Sequence, residues 1–574
     1  MSSPRRVSSS PGWFFGLALG SLVLLAYRPA WFGGMLWDDD AHLTREGLRS
    51  LDGLRAIWFD VGATQQYYPV THSAFWLFFQ AWGLDPLGYH LANIALHVIS
   101  AWMVVAILRR LEVPGAWIAG VLFALHPVQV ETVAWMTELK NTLSTALVLA
   151  ATVTYLRFDE RRRRSAYVAA LVLFMLALLT KTVTAVCPPA LLVLFWWKRG
   201  RVEWRRDVGP LIPFFAAAVT LGLTTAWFER TLLRAHGAEF DLTAIQRLLL
   251  AGRAVCFYLW SLLWPLNLSF IYPRWNLDPA SIAQYSYPAA VVLAIGAAWW
   301  FRHRSRAPLA VALLYCGILF PALGFVNLYP FRYSFVADHF QYLASIPVFA
   351  AIAAGLVRFA RSSPFAEPGL AVVLALPLAG MTWVQATNYR DAETLYRSTL
   401  AANPQCWLCY NNLASPRLHG SAEEVTEAIG YLQAALRIDP QSAEAHNNMG
   451  GALQRQGRFD EALAEHREAL RLNPALVDAR YNVAVVAQTL GRVDEARADY
   501  ERVLAEKPDN AAAHHNLATI LVAQGRMEDA RQHYAAAVQL EPDLPASHQG
   551  LGGTLAALGR TTEAIAEFRT VARL

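Results

Sequence analysis

Long uncharged stretches fill the first two thirds of the chain and predict membrane-spanning helices. A helix needs about 20 apolar residues to cross a bilayer, and eleven stretches before residue 390 approach that length. They cover residues 12–30, 88–108, 115–130, 139–157, 165–180, 182–197, 208–228, 279–301, 307–328, 341–357 and 368–387. No small-residue cleavage pattern follows the first stretch, so we predict an uncleaved first helix. The pattern predicts a polytopic helical membrane domain over residues 1–390.

Basic residues cluster in the loops between these stretches, as they do on the cytoplasmic side of membrane proteins. The clusters are Arg5-Arg6, Arg109-Arg110, Arg161–Arg164, Lys198–Arg206, Arg302–Arg306 and Arg358–Arg361. Residues 245–273 are also apolar, but counting them would place an odd number of spans between two cytoplasmic clusters. This segment holds Arg247 and Arg253 and is interrupted by Pro265. We therefore predict that it does not cross, and that the remaining spans put the N-terminus inside and the C-terminal region outside.

The last part of the chain repeats with a period of 34 residues. Small residues and prolines recur at Gly457, Gly491, Gly525 and Gly559, at Ala428, Ala462, Ala496, Ala530 and Ala564, and at Pro440, Pro474, Pro508 and Pro542. This period is the signature of tetratricopeptide repeats, whose stacked helix pairs form an α-solenoid. We therefore predict an all-α protein in which an extracytoplasmic repeat domain over residues 391–574 follows the membrane domain.

Composition agrees with this division. The chain is 55% hydrophobic and 16% charged, whereas soluble domains hold about 25% charged residues. The basic loops account for the net charge of +5, so no nucleic-acid partner is predicted. Richness in alanine, arginine and leucine favours a bacterial source and hence the bacterial inner membrane.

Cys406 and Cys409 form a CxxC pair at the start of the repeats. A zinc site would need a second pair of ligands. A disulfide or redox role and plain packing remain as alternatives.

Acidic residues are the first candidates for chemistry. Asp38, Asp39 and Asp40 directly follow the first predicted span and fall on its outer side. A carboxylate there can take a proton from an acceptor hydroxyl, and Asp38 with Asp40 can bind a divalent metal such as Mg²⁺ or Mn²⁺. The alternative is that they form the acidic flank of a span. Glu131 and Glu138 lie in a second outer loop.

Isolated cations fall on the same outer face. Lys140, Lys181, Arg332 and His339 lie at the ends of predicted spans. Such groups bind lipid-linked phosphate. For Lys181 or Arg332 alone a role as a membrane anchor is favoured, and for His339 alone a structural pair with Asp338 is favoured. Their convergence with the acidic residues favours a functional site, because ionisable groups near the membrane are costly and are retained for function.

Three asparagines occupy equivalent positions on the first helices of successive repeats, at Asn448, Asn482 and Asn516. Repeat solenoids present a concave binding surface. These side chains are therefore candidates for binding an extended acceptor peptide, with inter-repeat hydrogen bonding as the alternative.

Several strings resemble the transmembrane-and-tetratricopeptide-repeat (TMTC) O-mannosyltransferases and their bacterial relatives. They include WDDDAHLT, YYPVTHSAFWLFFQAWGLDPLGYHLANIALH, ALHPVQVETVAWMTELKNTLS, LLTKTVTA, YLWSLLWPLNLSFIYPRW and FRYSFVADHFQYLASI. The resemblance covers nearly the whole chain. It departs where relatives often read Glu-Arg-Lys-Asp and this chain has Glu138-Leu139-Lys140-Asn141.

The resemblance implies a GT-C glycosyltransferase fold and inverting transfer of a sugar, mannose in this family, from a polyprenyl-phosphate donor on the extracytoplasmic side. It places the catalytic base at Asp38 or Asp39. It also matches Glu131 to the family's second-loop glutamate and Lys181 to a phosphate contact. The expected acceptor is a serine or threonine hydroxyl of a protein held by the repeats.

Two other functions compete with this hypothesis. A membrane-anchored repeat scaffold for envelope or secretion assembly would need the repeats but not the acidic loop. A transporter would place ionisable groups at the middle of its spans and would show an internal repeat there. Neither feature is evident in the sequence.

Overall fold

The structure, a computed structural model, describes residues 12–39, 42, 45–60, 62–64, 66–231, 240–360 and 366–574. Helices and short 3-10 turns build both of its compact units, Met1–Pro404 and Gln405–Leu574. The first unit thus extends past residue 390 to include the helix Ala392–Ala402. The Asn403 amide just after this helix donates to the Ile271 carbonyl at 3.1 Å, which ties the helix to the membrane unit.

The apolar stretches of the membrane unit fold as helices, and each of the eleven predicted spans overlaps one. The helices are α1 (Gly12–Ala26), α2 (Leu51–Phe59), α3 (Pro69–Trp82), α4 (Pro86–Arg110), α5 (Ala116–Leu125), α6 (Val130–Ala134), α7 (Leu139–Arg161), α8 (Arg164–Thr180), α9 (Cys187–Arg199), α10 (Ile212–Thr231), α11 (Ala244–Leu263), α12 (Ser286–Trp300), α13 (Ala307–Leu319), α14 (Ser345–Phe359), α15 (Ala366–Thr387) and α16 (Ala392–Ala402).

Four helical segments within the described residues are long and apolar enough to cross a membrane. They are Pro86–Arg110, Trp204–Phe228, Ile282–His303 and Glu367–Thr387. A fifth is added if the pair Ala116–Leu125 and Pro127–Ala134, bent by 51°, counts as one span. Other apolar helices are shorter than a full crossing. The total of eleven spans therefore stays a prediction.

The bend after α5 positions the loop with the second set of acidic residues. Pro127 lacks a backbone donor and cannot continue a helix, so α5 ends at Leu125 and a 3-10 turn begins at Pro127. The short helix α6 and a 3-10 turn over Met136–Glu138 follow. This irregular stretch carries Glu131, Thr137 and Glu138 into the interior of the unit.

The segment 245–273, predicted not to cross, begins as the helix α11 and continues from Trp264 without regular helix. The Arg247 guanidinium donates to the Gly324 carbonyl at 2.6 Å and to the Asn327 side chain at 3.0 Å. These bonds satisfy the cation within the protein. The predicted course of this segment relative to the membrane is not tested by them.

The second unit is a stack of helix pairs, as the period predicts. Its helices are α17 (Trp407–Ala414), α18 (Ala422–Ile438), α19 (Ala443–Arg455), α20 (Phe459–Leu472), α21 (Val477–Thr489), α22 (Val493–Glu506), α23 (Ala511–Ala523), α24 (Met527–Leu540), α25 (Pro545–Ala557) and α26 (Thr561–Val571). The four recurring glycines have φ between 74° and 76°, a conformation that glycine adopts without strain. The recurring alanines are buried between the helices. The all-α class with a C-terminal repeat solenoid is confirmed.

The CxxC pair lies at the start of the first of these helices. Cys406 and Cys409 form a disulfide, with their Cα atoms 5.3 Å apart, and both residues are buried.

Candidate active site

Asp39 joins the first loop to the second through buried hydrogen bonds. Its carboxylate accepts from the Leu36 amide at 2.8 Å, from the Thr137 amide at 2.8 Å and from the Thr137 hydroxyl. The side chain is completely buried. Asp39 is therefore fully occupied in holding together two loops that are distant in sequence.

Burial also changes the acidity of Asp39. Loss of solvation disfavours the charged form, and the negative charge of Asp38 adds to this effect. The donors from Thr137 and Leu36 oppose it, and the net result raises the pKa of Asp39 to about 7. The carboxyl therefore changes charge near neutral pH.

Asp38 is in a different situation from its neighbour. It is half-buried, and its Oδ1 is enclosed but accepts no hydrogen bond among the residues that the structure describes. The negative charge of Asp38 acts on Lys140, a cation of the second loop, and on His42. Among the described residues, Asp38 thus has an acceptor atom without a hydrogen-bond partner, whereas both oxygens of Asp39 have partners. Asp40 lies outside the described residues.

Glu131 holds the loop around residue 338. Its carboxylate accepts from the Asp338 amide at 2.9 Å and from the Nδ1–H of His339 at 2.7 Å. Glu131 is buried, and the His339 side chain is nearly so. In this geometry Glu131 orients His339, and neither of its oxygens is left without a partner.

Asp338 is a buried acid next to Glu131 that the sequence indicated only as half of a structural pair. Its two oxygens lie 3.0 and 3.1 Å from the donating hydroxyl of Tyr272. Burial, followed by the negative charge of Glu131, raises the pKa of Asp338 well above its usual value. The side chain is therefore suited to sharing a proton within this group.

Glu138 and Lys140 form a buried ion pair in the second loop, with 3.3 Å between Glu138 Oε1 and the Lys140 ammonium. The Asn141 amide also donates to Glu138. Although burial acts to raise the pKa of Glu138, the charges of His339, Lys140 and Lys181 outweigh it and lower this pKa to about 2. Asn141, where relatives often carry an acid, thus supports the charge of Glu138.

The other predicted phosphate-binding cations are arranged around the same group. Lys181 directly follows α8, and its charge acts on Glu138. The Arg332 guanidinium lies 5.9 Å from the ring centroid of Tyr333. That ring in turn packs 5.5 Å from Trp37. The charges of Lys140, Lys181 and His339 therefore all act on Glu138, and Arg332 is connected to Trp37 of the first loop through the ring of Tyr333.

An aromatic cluster that was not predicted from the sequence lies between the two loops. Trp37 and Trp135 stack with ring centroids 5.8 Å apart and an interplanar angle of 17°. Phe270 meets both rings edge-on, and the Lys140 ammonium lies 5.5 Å from the ring of Trp135. Trp37 directly precedes the acidic residues of the first loop, and Trp135 lies between Glu131 and Glu138 in the second. These positions were the only indication in the sequence that the two rings belong to the site. Their contact fixes the first loop against the second.

The metal prediction has no further support from geometry. The described residues contain no group of three or more histidine, cysteine, aspartate or glutamate side chains that could hold a metal ion. A site formed by Asp38 with Asp40 lies partly outside the described residues.

The three asparagines of the repeats donate to side chains of the preceding repeat. Asn448 donates to Asn411 Oδ1 at 2.9 Å, Asn482 to Asn447 Oδ1 at 3.1 Å and Asn516 to the Tyr481 hydroxyl at 3.1 Å. Their amide nitrogens therefore link successive repeats. All three remain partly exposed.

Comparison with known proteins matches both units. Residues 69–227 match the family "Dolichyl-phosphate-mannose-protein mannosyltransferase". Tetratricopeptide-repeat families match residues 421–457, 447–511, 481–545 and 521–573. A mannosyltransferase-type membrane segment followed by these repeats is the arrangement of the TMTC proteins. The chain is therefore similar to the TMTC proteins in both of its units. The TMTC-like chain is also a membrane protein, by its family match and its apolar helices.

Several similar curated proteins are named protein O-mannosyl-transferases. "Protein O-mannosyl-transferase Tmtc1" of Drosophila melanogaster is 30% identical over 181 residues, which are 29% of this chain and 21% of the relative. "Protein O-mannosyl-transferase F38B6.6" of Caenorhabditis elegans is 29% identical, over 28% of this chain and 25% of the relative. The TMTC-like chain thus matches about a quarter or less of the length of these relatives.

Solved structures resemble the chain over about a third of its length. "MamA 41-end from Desulfovibrio magneticus RS-1" is 27% identical, covers 29% of this chain and 94% of its own, and has a TM-score of 0.27. "Functional Characterization of Pseudomonas Aeruginosa pilF" is 21% identical, covers 32% of this chain and 82% of its own, and has a TM-score of 0.30.

Proposed function

We propose that this chain is an inverting membrane glycosyltransferase of the GT-C type. It moves a sugar, mannose by relationship, from a polyprenyl-phosphate donor to a serine or threonine hydroxyl of a protein on the extracytoplasmic face of a bacterial inner membrane. The proposal is carried by Asp38, whose enclosed Oδ1 accepts no hydrogen bond from the described residues and whose negative charge acts on Lys140. A base and a phosphate-binding cation at one place are what such a transfer requires.

The reaction is a single displacement at the anomeric carbon. The acceptor oxygen forms the new bond while its proton passes to Asp38, and the bond from the anomeric carbon to the phosphate oxygen breaks. The lipid phosphate leaves with the electron pair of that bond. Lys140 and Lys181 stabilise its charge, since fixed cations placed where charge develops lower the barrier. Lys140 is held for this role by Glu138 at 3.3 Å.

The other predicted residues take supporting roles in this proposal. Asp39 positions Asp38 by locking the first loop to Thr137. Glu131 orients His339, which together with Arg332 binds the outer part of the donor phosphate. A divalent metal at Asp38 and Asp40 is an alternative partner for the phosphate.

The repeats hold the acceptor and raise its effective concentration near the loops. The amide nitrogens of Asn448, Asn482 and Asn516 are occupied between repeats. Peptide binding there therefore uses their carbonyl oxygens, which accept hydrogen bonds from peptide amides. The competing function, a repeat scaffold, would not depend on Asp38.

The test is transfer of radiolabelled mannose from polyprenyl-phosphate mannose to envelope proteins in membranes that contain the full chain. Asp38→Asn is expected to lower the rate 100-fold or more, the range for loss of a general base. Asp52→Asn, an exposed acid on α2, is the matched control and keeps the wild-type rate. If Asp38→Asn transfers mannose at the wild-type rate, Asp38 is not the base. No transfer by the wild type with any sugar donor would favour the scaffold.

A further inference from the structure

A large apolar cavity lies within the membrane unit. Its volume is about 1080 Å³, slightly above the range of about 300–1,000 Å³ for ligand pockets. Residues from α4, α7, α9, α13 and α14 form its wall, and almost all of them are apolar. None of the proposed catalytic or phosphate-binding residues lines it.

Helices α9 and α14 line the cavity along their length and define its long axis. Helix α9 begins shortly after Lys181 and ends next to Lys198, and α14 begins shortly after His339 and ends next to Arg358. Residues at both ends of each helix line the cavity, Lys198 and Arg358 included. The helices have 13 and 15 residues, or about 20 Å at 1.5 Å per residue. The cavity thus runs from the neighbourhood of the candidate site to a basic end on the opposite side.

Charge at this basic end is positive on balance. Lys198 donates to the Leu111 carbonyl at 2.8 Å and pairs with Glu112 at 3.1 Å. The Glu112 side chain is 85% exposed, and exposed ion pairs are weak and easily exchanged. Arg358 adds a second cation to the lining, and Ser305 adds a hydroxyl. An anion with several acceptor oxygens would find two cations and one carboxylate here.

We propose that this cavity binds a diacyl phospholipid with an anionic headgroup. Its acyl chains lie along α9 and α14, and its phosphate lies between Lys198 and Arg358. One leaflet contributes about half of the roughly 30 Å hydrocarbon core, which the 20 Å cavity accommodates. Basic pockets between transmembrane helices are known to select acidic lipid headgroups. The phosphate of the proposed sugar donor belongs at the other end, near Lys140 and Lys181.

The test is native mass spectrometry of the full chain, purified in a mild detergent and incubated with lipids. The probes are an anionic phosphatidylglycerol and a zwitterionic phosphatidylethanolamine with identical acyl chains. We expect one tightly retained phosphatidylglycerol, bound at least tenfold better than the zwitterionic lipid. Lys198→Gln with Arg358→Gln should remove this preference. Arg302→Gln with Arg304→Gln, a pair of basic residues that do not line the cavity, should retain it.

A second variant tests the apolar part. Ala350 lines the cavity from α14, so the side chain of Ala350→Trp should fill it and abolish retention of the lipid. A monodisperse protein with an unchanged melting temperature would show that this variant is folded. Equal retention of both lipids, or retention unaffected by the Lys198 and Arg358 changes, would overturn the proposal. So would one-for-one displacement of the phospholipid by polyprenyl phosphate, which would assign the cavity to the donor chain. None of these readouts depends on sugar transfer.

Discussion

At the scale of single residues, Asp38 and Asp39 are neighbours with different surroundings. The Asp39 carboxylate receives three hydrogen bonds and is completely buried, whereas Asp38 Oδ1 has none within the described chain. The sequence predicted both as candidate bases but could not separate them. Their difference depends on Thr137, which comes from another loop and which no local pattern connects to the first.

The buried Asp39 is expected to make stability depend on pH. Its folded pKa of about 7 lies above the ordinary value of 3.8, so folding favours the neutral form. The contribution of the neutral Asp39 to the free energy of unfolding is fully present below about pH 4 and is lost as pH rises through 7. The melting temperature of the detergent-purified wild type should therefore fall more steeply from pH 5 to pH 8 than that of Asp39→Asn. Asp52→Asn should keep the wild-type slope, and parallel slopes for all three proteins would contradict the expectation.

Glu131 and His339 should behave as one unit. Their side chains bind each other at 2.7 Å, with Glu131 buried and His339 nearly so. Removing either one costs its partner this hydrogen bond. Glu131→Gln and His339→Gln, measured singly and together by thermal unfolding, should show a coupling free energy of about 1–3 kcal/mol. The exposed pair Arg110–Glu160, at 3.0 Å, serves as the comparison and should couple by about 1 kcal/mol or less. Additive losses at Glu131 and His339 would show that the contact is not formed.

At the scale of elements, turn glycines and helix glycines of the same repeat should respond in opposite ways. Gly457 has φ of 76°, where a side chain costs about 1–2 kcal/mol. Gly451 lies inside α19, and a Cβ there would meet open space. Gly457→Ala should destabilise the repeat unit by about that amount, whereas Gly451→Ala should be neutral or stabilising by up to about 1 kcal/mol. Urea unfolding followed by the helical circular dichroism signal measures both, and equal effects would refute the assignment of the turn.

The sequence predicted some elements more fully than others. Its prediction of the repeats was the most complete, because a 34-residue period specifies the helices, the turns and the contacts between them together. The apolar stretches correctly located helices, but their apparent lengths exceeded those of several helices, as in α9, which begins only at Cys187. Apolar side chains continue through 3-10 turns such as Thr182–Val186, and hydropathy alone does not distinguish these from helix. The bend between α5 and α6 was not predicted, because the apolar stretch 115–130 continues through Pro127.

At the scale of the whole molecule, the disulfide bears on which side the repeats occupy. Disulfides persist in oxidising compartments and are rare in the cytosol, so Cys406–Cys409 supports repeats outside the cytoplasm. A disulfide that closes so short a loop stabilises the folded state by about 2 kcal/mol. In freshly isolated membranes, a thiol reagent applied with denaturant but no reductant should leave both cysteines unmodified. Cys406→Ser, the control, should expose Cys409 to labelling. Labelling of both residues in the wild type would place the repeats on the reducing side.

The long sequence separation of the buried contacts has a consequence for biosynthesis. The hydrogen-bond partners of Glu131 lie 207 and 208 positions later in the chain. At about 5–20 residues per second, ribosomes need roughly 10–40 s to make that interval. During that time Glu131 lacks the two groups that it binds in the folded protein. A stalled or truncated chain would therefore reach the bilayer with its early helices but without the contact between Glu131 and His339, which can form only after translation has passed His339.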